Sequence, residues 1–136
     1  MKTLLGAFAG VLLTATLVAH AATTTPTSYL KAPFTKEQAA TGAKVYKANC
    51  AMCHGDKLSN GGAPKLAGSV FLTKWATNTL DDFHYIMSTT MPQTAPGTLK
   101  PAEYLAVTTY ILQQNGAKPG KAAFKADDLK KYGFKK

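Results

Sequence analysis

The chain has 136 residues, with 16 Lys+Arg against 7 Asp+Glu and a formal net charge of +9; every one of the 16 is lysine. That length fits one compact domain and excludes a multidomain machine, and there are no internal repeats.

The N-terminus fixes the compartment in which the cysteines must be read. Lys2 precedes a run that is apolar or small from Leu4 to Ala19, broken only by Thr14 and Thr16, and then Ala19-His20-Ala21. This is the layout of a cleaved secretory signal peptide, residues 1–21. A retained membrane anchor is the alternative, but the run is short for a span of about 20 residues. Cleavage after Ala21 takes 21 of the 136 residues and leaves 115; Lys2 is the only charged residue lost, so 15 lysines face 7 acids and the charge becomes +8. The expected location is the periplasm. An exported basic protein does not meet nucleic acid, so its positive surface points to acidic protein partners, with membrane association no more than peripheral.

Residues 22–34 carry Thr24, Thr25, Pro26, Ser28 and Pro33 with little periodicity and read as an extended lead-in. Thr35 and Gln38 form a capping-box pair that opens a helix over about 36–48. Its last turn delivers Cys50-Ala51-Met52-Cys53-His54, which contains both cysteines of the chain. In an oxidising compartment two cysteines normally pair, but so short a loop gains little from a cross-link and would leave the histidine without a role. Cys-x-x-Cys-His is instead the attachment signature for haem c: two sulfurs bond the haem, and the adjacent histidine meets the iron. Zinc would need four ligands where few are on offer. A thioredoxin-like redox pair would need a preceding strand, and none is evident.

Beyond the motif, 55–68 is too rich in turn residues to be regular, with Asn60-Gly61-Gly62 and Pro64. Ser69 to Thr77 is apolar and aromatic, a short helix or a single turn. Thr79 with Asp82 caps a helix reaching about Ser88. Met91-Pro92 opens a segment that ends at Gly97. A further helix runs from Pro101 to Gln114 and stops at Asn115-Gly116.

From about 35 to 116 the sequence resembles the class I c-type cytochromes. Gly42-x-x-x-Tyr46-x-x-x-Cys50 looks like that family's first helix, whose glycine and aromatic ring pack on the last helix; Tyr110 looks like the facing aromatic. The resemblance implies an all-α cytochrome c fold, three to five helices and loops wrapped round one covalent haem. It also implies Met91 as the second axial ligand beside His54, and Pro64 as the residue whose carbonyl accepts from the free nitrogen of the histidine. Trp75 resembles an aromatic that hydrogen-bonds a propionate, though plain core is an equal reading. Met52, Met87 and His84 are the competitors for the iron. Met52 sits in the attachment loop, while Met87 and His84 sit on a helix where packing is the default.

With both axial positions filled, electron transfer rather than catalysis is the expected role. The wording Phe71-x-x-x-Trp75, Met91-Pro92-x-x-x-Pro96-Gly97-x-Leu99 and Tyr104-Leu105-Ala106-Val107 is similar to cytochromes serving bacterial quinoprotein alcohol dehydrogenases. That similarity implies a dehydrogenase as donor and a terminal oxidase as acceptor. The alternatives are a cytochrome subunit bound permanently in a dehydrogenase or reductase complex, or ligand sensing through a labile Met91. Residues 117–136 read as a basic C-terminal extension in which Phe124, Leu129, Tyr132 and Phe134 interrupt the lysines. A solvated basic tail is one reading of the lysines. The other is a segment draped over the body that adds positive charge to a docking surface, so that removal after Gly116 leaves the haem spectrum nearly unchanged while slowing association with an acidic partner at low salt.

Overall fold

The computed structural model describes residues 25–135. The expected signal peptide lies outside them. Among the described residues no helix is long and apolar enough to cross a membrane.

Among the described residues, five α-helices and almost no strand make up the fold. α1 spans Lys36–Asn49; both halves of its capping box form, Gln38 N–H donating to Thr35 Oγ1 at 3.2 Å and Thr35 N–H to Gln38 Oε1 at 3.3 Å. α2 is the single turn Ala51–His54. α3 runs Ser69–Trp75, a helix where a helix or a turn was open. α4 runs Leu80–Thr90, two residues past the expected end, and starts on the Thr79/Asp82 box. Its continuation is blocked because Met91 precedes Pro92 and adopts extended geometry. α5 spans Pro101–Gln114, with Pro101 in the first turn, where a missing N–H costs nothing.

α1 crosses α5 at Gly42. A Cβ there would collide with the carbonyl of Ala106 and lie 2.9 Å from Tyr110 Cβ, so the contact needs a residue with no side chain. Tyr46 and Tyr110 flank it with ring centroids 5.4 Å apart. α5 is the central member, burying Tyr104, Val107, Thr108, Ile111 and Leu112 among others.

The two flanking segments are more built than the sequence reading allowed. Within the stretch taken as an extended lead-in, β1 (Thr27–Ser28) is followed by a 3-10 turn at Tyr29–Lys31, and Tyr29 and Phe34 are fully buried. β1 pairs in parallel with β2 (Tyr132–Gly133), so the two ends of the described chain close on each other. The C-terminal segment belongs to the core: Phe124, Leu129 and Phe134 are 2%, 5% and 1% exposed. Gln38 holds it as well, its side-chain amide pairing with both backbone groups of Phe124 at 2.8 Å. Phe134 packs on Phe71, Trp75 and Phe83, with centroids 5.2, 6.1 and 5.5 Å away. The segment thus packs into the same core as the helices, so its removal would disturb the cluster formed by Phe71, Trp75 and Phe83.

Candidate functional site

One cleft of about 340 Å³ collects the residues that carry the chemistry. Cys50, Cys53, His54 and Pro64 line it together with Trp75 and Met91, and Phe83, Met87, Val107 and Ile111 supply much of its apolar wall.

The attachment side is built by the join between α1 and α2. Cys50 caps α1, its N–H donating to Tyr46 O at 2.8 Å, and its carbonyl then accepts from His54 N–H at 2.9 Å. One helical turn therefore separates the first cysteine from the histidine. The Tyr46 hydroxyl donates to Gly55 O at 2.7 Å and ties the end of this turn back to α1. Cys50 and Cys53 are both free thiols, the first half-buried and the second exposed. Burial, with a smaller contribution from Cys53, raises the Cys50 pKa to about 11.

The loop after α2 doubles back under the histidine. Gly61 N–H donates to His54 O at 3.3 Å and Ala63 N–H to Cys53 O at 2.9 Å. A Cβ on Gly61 would strike the Cys53 carbonyl, so this approach too requires glycine. The loop thereby carries the Pro64 carbonyl to 2.8 Å from His54 Nδ1. A carbonyl can only accept, so Nδ1 bears the proton and Nε2 keeps its lone pair for a metal.

α4 and the turn beyond it also line the cleft. Both Met87 and Met91 line the cleft, so position alone does not separate them. Met87 lies within α4 and packs against the core. Met91 is the first residue outside the helix, with its carbonyl accepting from the Tyr104 hydroxyl at 2.6 Å. Met52 is 92% exposed and does not line the cleft.

Trp75 is 9% exposed and belongs to the aromatic cluster, 5.0 Å from Phe83 in an edge-on contact. It also lines the cleft, and among the described residues its indole N–H has no hydrogen-bond partner. Lys65 and Lys74 stand at the same cleft, Lys74 Nζ lying 5.8 Å from the Trp75 ring centroid, within cation–π range.

His84 stays away from the cleft. Its Nδ1 lies 3.3 Å from Thr108 Oγ1, and its ring stands edge-on to Tyr104 at 6.3 Å. Burial lowers its pKa below the ordinary histidine value, partly offset by Asp81. The unfolded chain therefore takes up this proton more readily than the folded one. Its contribution to stability is complete above about pH 6.5 and is lost as pH falls through the lower folded value. The melting temperature should fall as pH drops below about 6.5, and His84→Gln should flatten that slope relative to the parent. An identical slope in the variant would assign the acid sensitivity elsewhere.

The donor set fits haem c: two thiols, an imidazole nitrogen and a thioether line one cleft whose wall is largely apolar. Tyr104, which holds the Met91 turn, and Phe134, which backs Trp75 and Phe83, are the contributors missed by sequence reasoning. Both are apolar or aromatic positions whose tertiary partners leave no local pattern.

Comparison with curated proteins and with solved structures found no match. The model of the family described as cytochrome C oxidase, cbb3-type, subunit III matches residues 37–111, which run from the start of α1 to near the end of α5 and include the whole Cys-x-x-Cys-His turn. With that match laid over a mostly helical fold, the chain belongs to this family and is a class I c-type cytochrome carrying covalently bound haem c with its iron.

Proposed function

We propose that the protein is a periplasmic single-haem electron carrier that accepts electrons from a dehydrogenase, a quinoprotein alcohol dehydrogenase by the similarity noted above, and passes them toward a terminal oxidase. The observation that carries this reading is that His54 and Met91 line one largely apolar cleft together with both cysteines. Haem bound there supplies a one-electron iron centre.

The chain's own groups divide the remaining work. Cys50 and Cys53 anchor the group. Pro64 orients His54 and, by accepting its Nδ1 proton, makes Nε2 the better ligand. Met91 is preferred to Met87 because it lies outside the helix on a turn tied to α5, whereas Met87 contributes to the packed face of α4. The unpartnered Trp75 N–H is available to a propionate, and Lys65 and Lys74 supply compensating positive charge. Two axial ligands leave no open iron position, so the site conducts electrons rather than activating a substrate. The lysine-rich surface suits transient docking on acidic redox partners.

The purified protein should show the haem mass retained on the denatured chain, and a weak sulfur-to-iron charge-transfer band when oxidised. Met91→Ala should abolish that band and Met87→Ala should leave it. A band lost in the Met87 variant instead would move the ligand one helical turn.

A second reading is favoured by the matched family, whose description is that of an oxidase subunit: a cytochrome held permanently in a complex. Co-purification separates the two. An electrostatic, transient partner dissociates at high salt, and an obligate apolar interface persists.

A further inference from the structure

In the sequence Tyr104 reads as one more apolar position of a helix. In the structure its ring is 4% exposed, and its hydroxyl leaves the α5 core to donate to the Met91 carbonyl at 2.6 Å. The N–H of Met91 is held by α4 itself, donating to Met87 O at 3.0 Å. Two bonds within the turn follow, Ala95 N–H to Pro92 O at 2.9 Å and Gly97 N–H to Met91 O at 3.3 Å. All of these are local. The Tyr104 bond alone among them comes from another helix, so it fixes where the turn sits relative to the cleft.

The phenol is itself confined. Thr108 Oγ1 donates to the Tyr104 carbonyl at 2.9 Å, one turn along α5. With that hydroxyl proton committed, Thr108 Oγ1 accepts at 3.3 Å from His84, whose Nδ1 then carries the hydrogen. The edge-on His84 ring closes the other side of Tyr104 at 6.3 Å. A neutral thioether is a weak donor, and its hold on iron depends on how well its backbone is placed.

We infer that Tyr104 is a positioning residue for the sixth ligand, its hydroxyl holding the Met91 turn against the cleft so that the thioether stays on the iron. The inference rests on Met91 being that ligand.

The test uses the haem-loaded protein and Tyr104→Phe, which deletes the hydroxyl and keeps the ring. Three quantities are followed: the charge-transfer band against pH, the affinity of the oxidised protein for imidazole, and global stability in guanidinium. Met91→Ala and Thr108→Val are measured beside it. Losing one buried neutral hydrogen bond that acts on the bound turn should tighten imidazole binding about five- to tenfold and bring the loss of the band down by about one pH unit. Thr108→Val, which keeps the phenol, should shift both by less.

If Met91→Ala loses the band and Tyr104→Phe matches the parent in both ligand readouts, the positioning role is overturned while the ligand assignment stands. A Tyr104→Phe variant that is less stable in guanidinium but unchanged toward imidazole and pH also overturns it, since the hydroxyl would then serve the fold alone. A Met91→Ala variant that keeps the band refutes the ligand assignment, and the inference falls with it.

Discussion

Ending the chain at Gly116 should leave a protein that does not fold round its haem. The cut removes Phe124, Leu129 and Phe134, all nearly inaccessible, and with Phe134 it takes the back of the cluster in which Trp75 and Phe83 line the cleft. It also deletes β2, the partner of β1, and the backbone that Gln38 clamps. Removing one large buried aromatic costs about 3–5 kcal/mol, and a domain has only about 5–15 in total. Two such losses, together with that of the buried Leu129, exceed what the domain can absorb. Phe134→Ala, a gentler change, should lower the denaturation free energy by about 3–5 kcal/mol and the melting temperature by at least about 10 °C. Far-ultraviolet circular dichroism in guanidinium measures the first, and the haem absorption band during heating measures the second. A truncated chain with the parent's midpoint would return residues 117–136 to the status of an appendage.

That segment also shows where the sequence was opaque. Phe124, Leu129 and Phe134 fall five apart, a spacing that matches neither helix nor strand, and lysines separate them. Only the tertiary fold reveals that each enters the same core. Tyr29 and Phe34 were hidden likewise among prolines and threonines, in a stretch with one 3-10 turn and a two-residue strand. Elements with their own local chemistry were legible. Thr35/Gln38 and Thr79/Asp82 announced helix starts because capping is a contact between residues three apart, and Pro101 did the same from its lost N–H. The side chains of the cleft divide along the same line. Cys50, Cys53 and His54 share one turn and form a pattern, whereas Pro64 and Met91 came only from the resemblance to the class I c-type cytochromes. Gln38 was legible as a cap but not as the clamp on Phe124, 86 residues away. Tyr104 was legible as apolar but not as a donor to Met91, because nothing in the local sequence states where a hydroxyl ends.

Cys50→Ser combined with Cys53→Ser should abolish covalent haem, leaving a processed chain whose mass under denaturing conditions is that of the polypeptide alone. Both thiols sit on the cleft within one turn of each other, and no other cysteine exists to replace them. A serine hydroxyl preserves the shape of the turn but not the sulfur that makes the bond. The two single variants should differ from the double one by retaining one link. They should also differ from each other, because Cys50 is half-buried with its pKa raised to about 11, whereas Cys53 is exposed. The thiolate is the attacking form, so burial of Cys50 disfavours attachment through that sulfur. Cys50→Ser should accordingly keep more haem than Cys53→Ser when both are expressed side by side. His54→Ala in the parent background should leave the thioethers able to form but remove the nitrogen that Pro64 orients, giving haem mass on the chain without a low-spin spectrum. The three measurements separate anchoring from ligation. Haem mass on the denatured double-serine chain would show that the group is held by something other than these sulfurs.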